Sequence, residues 1–341
     1  MSPAHLQSLL SGFSDLSILV VGDFFLDKYL ILDPALTETS IETGLDAYQV
    51  VERRCTPGAA GTVTSNLHAL DVGTLHALGV IGDDGEGYEL KQGLSATTVH
   101  TDGLLETPDR FTPTYTKPML QAPRGEREIN RIDIKNRTLM PTHLEDRIIQ
   151  HLNDMASEVD GIIIADQVQE RNFGVITDRV REAIGALACA HPDMIILADS
   201  RVRIGAYRHV LLKPNRDEAA QAVQPNHNGA VDQALAEQCG HMLFEQTNKP
   251  VYVTLSENGL LLITADGCEH VPGATVPEPV DPVGAGDSTT AGIVAALCAG
   301  ARYADAGLIG NLVASITVQQ IGETGTATPE QVMERYKKWK D

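Results

Sequence analysis

Positive charge is scarce in this chain of 341 residues: 26 lysines and arginines stand against 46 aspartates and glutamates, a formal charge of −20. A broad nucleic-acid footprint needs a basic face, so DNA and RNA are excluded as surface partners. The same balance suits a soluble protein of the cytoplasm, which is the expected location. Cysteine is sparse and scattered. Cys55, Cys189, Cys239, Cys268 and Cys298 contain no Cys-x-x-Cys pair, and the odd count at wide spacing argues against a disulfide framework or a structural zinc site. They read as small core residues. The histidines form no His-Glu-x-x-His pattern, and none is assigned to a metal. No apolar run approaches the length that crosses a bilayer, and the first residues lack the basic segment and apolar core of a signal peptide. Two familiar nucleotide-binding turns are missing as well. There is no Gly-x-x-x-x-Gly-Lys-Ser/Thr, and the first apolar run ends in Gly22-Asp23-Phe24-Phe25 rather than Gly-x-Gly-x-x-Gly. A Walker-type ATPase and a dinucleotide-dependent oxidoreductase are disfavoured on that ground.

What the chain does have is ample core material: 43% of its residues are hydrophobic. That supports one large domain over 1–341, with no interdomain linker or internal repeat in view. Short apolar runs at 17–21, 75–81, 161–165, 194–198, 210–212, 251–255 and 260–264 end in polar residues, Gly or Asn. Stretches with helical spacing lie between them, among them 145–156, 175–190 and 230–247. Continuous apolar strands alternating with helices predict an α/β fold, a mostly parallel sheet covered on both faces. Ligands in such sheets sit beyond the carboxyl ends of the strands. Residues 41–56 and 111–135 alternate instead like exposed strands and predict a small projecting sheet, suited to a lid or a dimer surface.

Residues 281–292 read Asp-Pro-Val-Gly-Ala-Gly-Asp-Ser-Thr-Thr-Ala-Gly and run into an apolar helix. Gly284 and Gly286 let the backbone turn tightly and approach a ligand. The helix points its unpaired N–H groups and positive dipole end back at the turn, which makes an anion cradle. Asp287 lies in the same turn, where a carboxylate repels a bound phosphate. Its presence makes sense if it accepts the proton of a hydroxyl that attacks the phosphorus. Helix capping is the bland alternative for this acid.

Ordered motifs over roughly residues 15–330 resemble the PfkB (ribokinase-like) carbohydrate kinases. They are Gly22-Asp23 with Asp27, the segment 57–62 followed by Asn66, the Asn-x-x-Glu of Asn215 to Glu218, the turn 254–259, and the signature from Asp281 to Asp287. Within the family, similarity is greatest to the kinase half of ADP-heptose synthesis enzymes, which act on a heptose 7-phosphate. Val21-Gly22-Asp23 leading to Leu26-Asp27, Thr116-Lys117, Arg131-Ile132-Asp133 and Gly325-Thr326-Ala327-Thr328 carry that likeness.

The resemblance implies a ribokinase-like fold with a β lid, ATP with Mg2+, a small sugar or sugar phosphate as partner, and a homodimer through the lid strands. Asp287 is then the base, with the backbone of Gly284, Ala285, Gly286 and Asp287 forming the anion hole. Asp27, Gly58, Ala59, Thr62 and Asn66 line the sugar pocket, and Lys117 and Arg131 meet a substrate phosphate or carboxylate. Asn215, Thr254, Ser256, Gly259 and Asp199, with Arg201, lie on the nucleotide side. Glu218 and Asn215 hold magnesium through water, with helix capping as the alternative for Glu218. Asp281 lies near a monovalent-cation site, which implies a potassium effect on rate.

Four departures bear on the acceptor. Ala59 and Ser256 stand where the family usually has Gly, and Thr62 stands where it has Asn. Residues 165–169, Ala-Asp-Gln-Val-Gln, replace Asp-Tyr-x-Lys-Gly and lose a lysine suited to a substrate phosphate. A nucleoside, ribose or fructose phosphate therefore stays open as acceptor, as does a catalytically silent sugar or nucleotide sensor.

Overall fold

Branched apolar residues build the sheet. In the strand Ser17–Gly22, Ile18 and Val20 face one side while Leu19 and Val21 face the other, and all four are buried. Such a strand is covered on both faces. The computed structural model describes residues 1–122, 125–322 and 324–340. Across the main sheet of nine strands the order is Gly267–Val271, Leu260–Thr264, Val251–Thr254, Leu211–Leu212, Ile195–Ser200, Gly161–Asp166, Ser17–Gly22, Thr74–Gly82 and Val99–Thr107. Leu260–Thr264 pairs antiparallel with both of its neighbours, and the remaining pairings are parallel.

Two cores flank this sheet. One face packs on the helices Ala60–Ala69, Ala285–Cys298 and Tyr303–Thr317, the other on Thr142–Met155, Asp178–Ala190 and Gln233–Thr247. Side chains end the deficit of acceptors at helix starts. Thr177 accepts from the Val180 amide, and Asp232 accepts from the Leu235 amide at 2.8 Å.

A second sheet runs in the order Ile132–Ile134, Thr114–Ala122, Phe24–Leu32 and Val50–Ala59, with Gly125–Glu128 also paired to Thr114–Ala122. Its limits differ from the expected 41–56 and 111–135. Residues 41–49 stand outside it, where Glu38–Thr39 and Asp46–Ala47 form a separate short pair. Its central strand, Phe24–Leu32, follows Ser17–Gly22 directly in sequence and is not among the expected strands. The chain changes sheets at Gly22 and Asp23. A Cβ on Gly22 would lie 2.1 Å from the Ala165 carbonyl oxygen, so only glycine fits this corner. The Asp23 amide then donates to that carbonyl at 3.0 Å, and the Asp23 carbonyl accepts from the Ala60 amide at 3.1 Å.

One face of the second sheet carries Lys28, whose ammonium meets Glu89 at 2.7 Å and Glu86 at 3.3 Å on the helix Gly85–Ala96. Arg53 reaches Glu89 at 3.1 Å from the neighbouring strand. The opposite face carries Asp27, because successive strand residues alternate.

Ala59 closes the edge strand with φ 54° and ψ −115°, and Ser256 has φ 56°. Both are the positions where the resemblance expects glycine. A side chain in the first of these conformations costs on the order of 1–3 kcal/mol. Ala59→Gly should therefore stabilise the fold by about 1 kcal/mol after the entropy cost of glycine. Urea denaturation of the two proteins checks this, and a loss of stability would contradict it.

Candidate functional site

The carboxyl ends of Gly161–Asp166, Ile195–Ser200, Leu211–Leu212 and Val251–Thr254 face the start of the helix Ala285–Cys298. Gly284 caps that helix with φ 79°, and a Cβ there would lie 2.7 Å from the Thr324 methyl and 3.4 Å from that of Thr62. The turn is thus pressed against the helix Ala60–Ala69, and only glycine allows it. The Ala285 amide donates to the Pro282 carbonyl at 3.1 Å. This corrects the expectation of an Ala285 donor in the anion hole. The amides of Gly286 and Asp287 have no acceptor among the described residues, as helix geometry requires.

Asp287 is half-buried beside these amides. Burial, with Asp199 and Asp27 adding like charge, pushes its carboxyl up to about 7, against the opposing pull of Lys213 and Arg201. Lys213, which follows the apolar run 210–212, lies here as well. Its ammonium is buried, 2.9 Å from Asp199 Oδ2, and a Cβ on Gly286 would lie 3.6 Å from it. Thr290 Oγ1, from the same helix as Asp287, donates to Asp199 Oδ2 at 3.1 Å. No sequence periodicity marks such a lysine. The signal was its place at the end of an apolar run, immediately before Pro214-Asn215.

Asn215 and Glu218 form a reciprocal capping box. Asn215 Oδ1 accepts from the Glu218 amide and Glu218 Oε2 from the Asn215 amide, each at 2.8 Å. The capping alternative therefore describes their present contacts. Glu218 keeps Oε1 free of any such bond, and its carboxyl is pushed up to about 7 by burial and by Asp199. Asn215 bridges to Thr254, which sets the exposed Ser256 turn alongside. Gly259 is buried under the Val271 carbonyl, 2.3 Å from where its Cβ would stand, so it shapes this turn from beneath. Asp281 spends both oxygens on backbone, accepting from Val283 at 3.1 Å and from Gly322 at 3.2 Å.

Across the cleft, Asp27 lies against Gly58, where a Cβ would come within 2.5 Å of its Oδ2. Lys117 pairs with Asp27 at 3.1 Å and donates to the Tyr29 hydroxyl at 3.0 Å. Arg131 is turned away onto Asp133, at 2.7 and 2.9 Å, and stacks over Tyr115. Thr62 adjoins Gly284, but Asn66 does not reach the cleft. It is fully buried in its helix, donating to the Thr62 carbonyl at 3.0 Å, because its position faces the core rather than the turn. Asp27 thus stands against Gly58 and Thr62 against Gly284, Asp199 and Asp27 act on Asp287 and Asp199 on Glu218, and Asn66 is enclosed in its helix.

The departure at 165–169 also has a structural account. Asp166 is buried and accepts from Ser200 at 2.7 Å, Tyr207 at 3.0 Å and Arg203 at 2.8 Å. Asp23 accepts the amides of Gln167 and Val168, each at 2.9 Å, and of Val175 at 2.7 Å. Burial, with Asp166 adding like charge, pushes the Asp23 carboxyl up to about 6 against those three bonds. The loop so held lines a pocket with about 50 Å³ of free space, together with Phe25, Tyr115, Lys135 and Arg201. Among the described residues, no three His, Cys, Asp or Glu side chains stand together as a ready metal cage. No helix there is long and apolar enough to cross a membrane.

Comparison with known proteins bears on this site. The chain is 30% identical over 336 residues to the bifunctional protein HldE of Geobacter metallireducens, covering 98% of this chain and 65% of that protein. It is 30% identical over 319 residues to the HldE of Gluconobacter oxydans, covering 92% and 63%. The chain thus spans just under two thirds of these relatives. Among solved structures, Arabidopsis thaliana ribokinase complexed with ribose and ATP superimposes with a TM-score of 0.67 at 16% identity, over 94% of this chain and 99% of that one. A putative phosphofructokinase from Staphylococcus aureus gives 0.68 at 21% identity, over 93% and 95%. These two establish a shared ribokinase fold. With the cleft so built and residues 29–331 matching the family model, the chain belongs to the pfkB family of carbohydrate kinases.

Proposed function

We propose that this chain transfers the γ-phosphate of ATP to a hydroxyl of a sugar or sugar phosphate, a heptose 7-phosphate-like acceptor being the first candidate. The observation that carries the reading is Asp287, a carboxyl with its affinity for protons raised to near neutrality, standing beside two unpaired amides at a helix start. A base poised near the working pH takes a hydroxyl proton efficiently, and fixed amides stabilise the charge on the moving phosphoryl group. Asp27 accepts hydrogen bonds from adjacent sugar hydroxyls, since an ionised carboxylate only accepts. Lys117 holds that carboxylate in place. The pocket beside Gln167 and Arg201 receives the rest of the acceptor.

Hard oxygen donors suit magnesium, and the free Glu218 Oε1 with the neighbouring Asn215 is the place for it, through water. Bound there, the ion neutralises charge on the nucleotide's phosphate oxygens. Asp281 orders the turns on either side of it, so a potassium ion near it is held by carbonyls rather than by its occupied carboxylate.

The second sheet serves as lid and as the contact of a homodimer. Its edge strand and the preceding loop expose Ile41, Leu45, Tyr48, Val50 and Val51. An apolar edge of this kind calls for a cover, and a second copy of the chain provides a matching one. The expected location is the cytoplasm. Light scattering should give a dimer that Val51→Lys converts to monomer; a monomeric parent protein removes the proposal.

The function is tested by incubating the protein with magnesium, ATP and a panel of sugars, sugar phosphates and nucleosides while following ADP. Release with one acceptor class names the substrate. Tight acceptor binding without ADP would instead establish a sensor. Asp287→Asn should cut kcat by roughly a hundredfold to ten-thousandfold with nucleotide affinity retained. Full activity in that variant would exclude Asp287 as the base.

Because the carboxylate is the active form, kcat/KM should rise with pH through about 7 and level off above it. A flat profile between pH 5 and pH 8 would be incompatible with this base. The same elevated affinity favours folding in acid, and that contribution fades as pH rises through about 7. Asp287→Asn should therefore melt higher than the parent at pH 8, with the gap closing towards pH 4 in paired thermal scans.

A further inference from the structure

Lys213 is 3% exposed, deeper than any cation on the protein's surface, and its backbone amide is pinned by a bond to the Ala198 carbonyl at 3.0 Å. An ammonium carries three donors and accepts nothing. Asp199, at 2.9 Å, is the only ion-pair partner of this one among the described residues. A buried donor left without an acceptor is costly, and the cost is met when a ligand supplies the oxygen. The spare donors border the cup formed by the free amides of Gly286 and Asp287, since a Cβ on Gly286 would stand 3.6 Å from Nζ.

Charge leads to the same place. Asp27, Asp199, Glu218 and Asp287 lie close together; Lys117 pairs with Asp27, and the cations acting on Glu218 and Asp287 are Lys213 and Arg201. Arg201 is exposed, whereas Lys213 is buried and held against Asp199. A phosphoryl group entering among carboxylates needs a stationary positive charge at the point of transfer.

We propose that Lys213 is a catalytic residue whose ammonium binds the oxygens of the phosphoryl group during transfer, with Asp199 and Thr290 as positioning residues that aim it. The role rests on the kinase reading above. In the step, the acceptor oxygen bonds to the γ-phosphorus and the bond to the bridging oxygen breaks with its electron pair leaving on ADP. The hydroxyl proton passes to Asp287. Lys213 keeps all its protons throughout and contributes only its field and hydrogen bonds.

The test uses Lys213→Met and the double variant Lys213→Met/Asp199→Asn. The double variant removes both buried charges and carries the experiment should the single one not fold. With the acceptor that the parent protein phosphorylates, kcat should fall by about a hundredfold or more in both. Affinity for ADP, measured by calorimetry, should change by less than about threefold, since the contact is made to the transferred group alone. Aluminium fluoride with magnesium, ADP and acceptor mimics that group; it should tighten ADP retention in the parent and not in the variants. A kcat in either folded variant within about threefold of the parent, or an undiminished aluminium fluoride effect, overturns this role alone. A parent protein that releases no ADP with any acceptor overturns the kinase reading and this role with it.

Discussion

The corner at Gly22 and Asp23 fixes how the two sheets meet, and the cleft lies where they meet. One continuous segment supplies an inner strand to each sheet, so the second sheet cannot be placed independently of the main one. The glycine allows the Ala165 carbonyl to come close, and the buried carboxylate next to it gathers three amides from the loop 167–175. Arg203 takes carbonyls of Val168 and Gln169 from the other side, the latter at 2.8 Å. A loop held through both its donors and its acceptors has little freedom left, and the side chains on it are preorganised.

The cleft concentrates in a small space the conflict that runs through the whole acidic chain. Four carboxylates approach a place suited to an anion. Two of them, Glu218 and Asp287, respond by holding protons to near neutral pH, as burial beside like charge requires. Asp199 is instead compensated by direct contact with Lys213 and Thr290. The same small space thus holds two acids with raised proton affinity and a third in contact with a buried ammonium.

Much of this was legible in the sequence wherever one physical rule dominated. Strands buried on both faces must be apolar throughout, so Ser17–Gly22, Gly161–Asp166 and Leu260–Thr264 stood out. Val99–Thr107 did not, because an edge strand mixes buried and exposed positions irregularly. Phe24–Leu32 was not expected, since its middle residues are only partly buried and break the apolar run. Tyr303–Thr317 is buried almost all round and so lacks the one-sided pattern that announces a surface helix. In the site, the glycines and Asp287 were visible because local backbone geometry demands them. Lys213 was hidden because lysine is ordinarily a surface residue.

The ion pairs between the second sheet and the helix Gly85–Ala96 carry a consequence of their own. Lys28, Arg53, Glu86 and Glu89 form the seam there, with Arg53 mostly open to water. Attraction of this sort is weakened by dissolved electrolyte, unlike the greasy interior that holds the main sheet. The attachment of the second sheet to this helix is therefore weaker in concentrated salt than in dilute buffer, chiefly through Arg53.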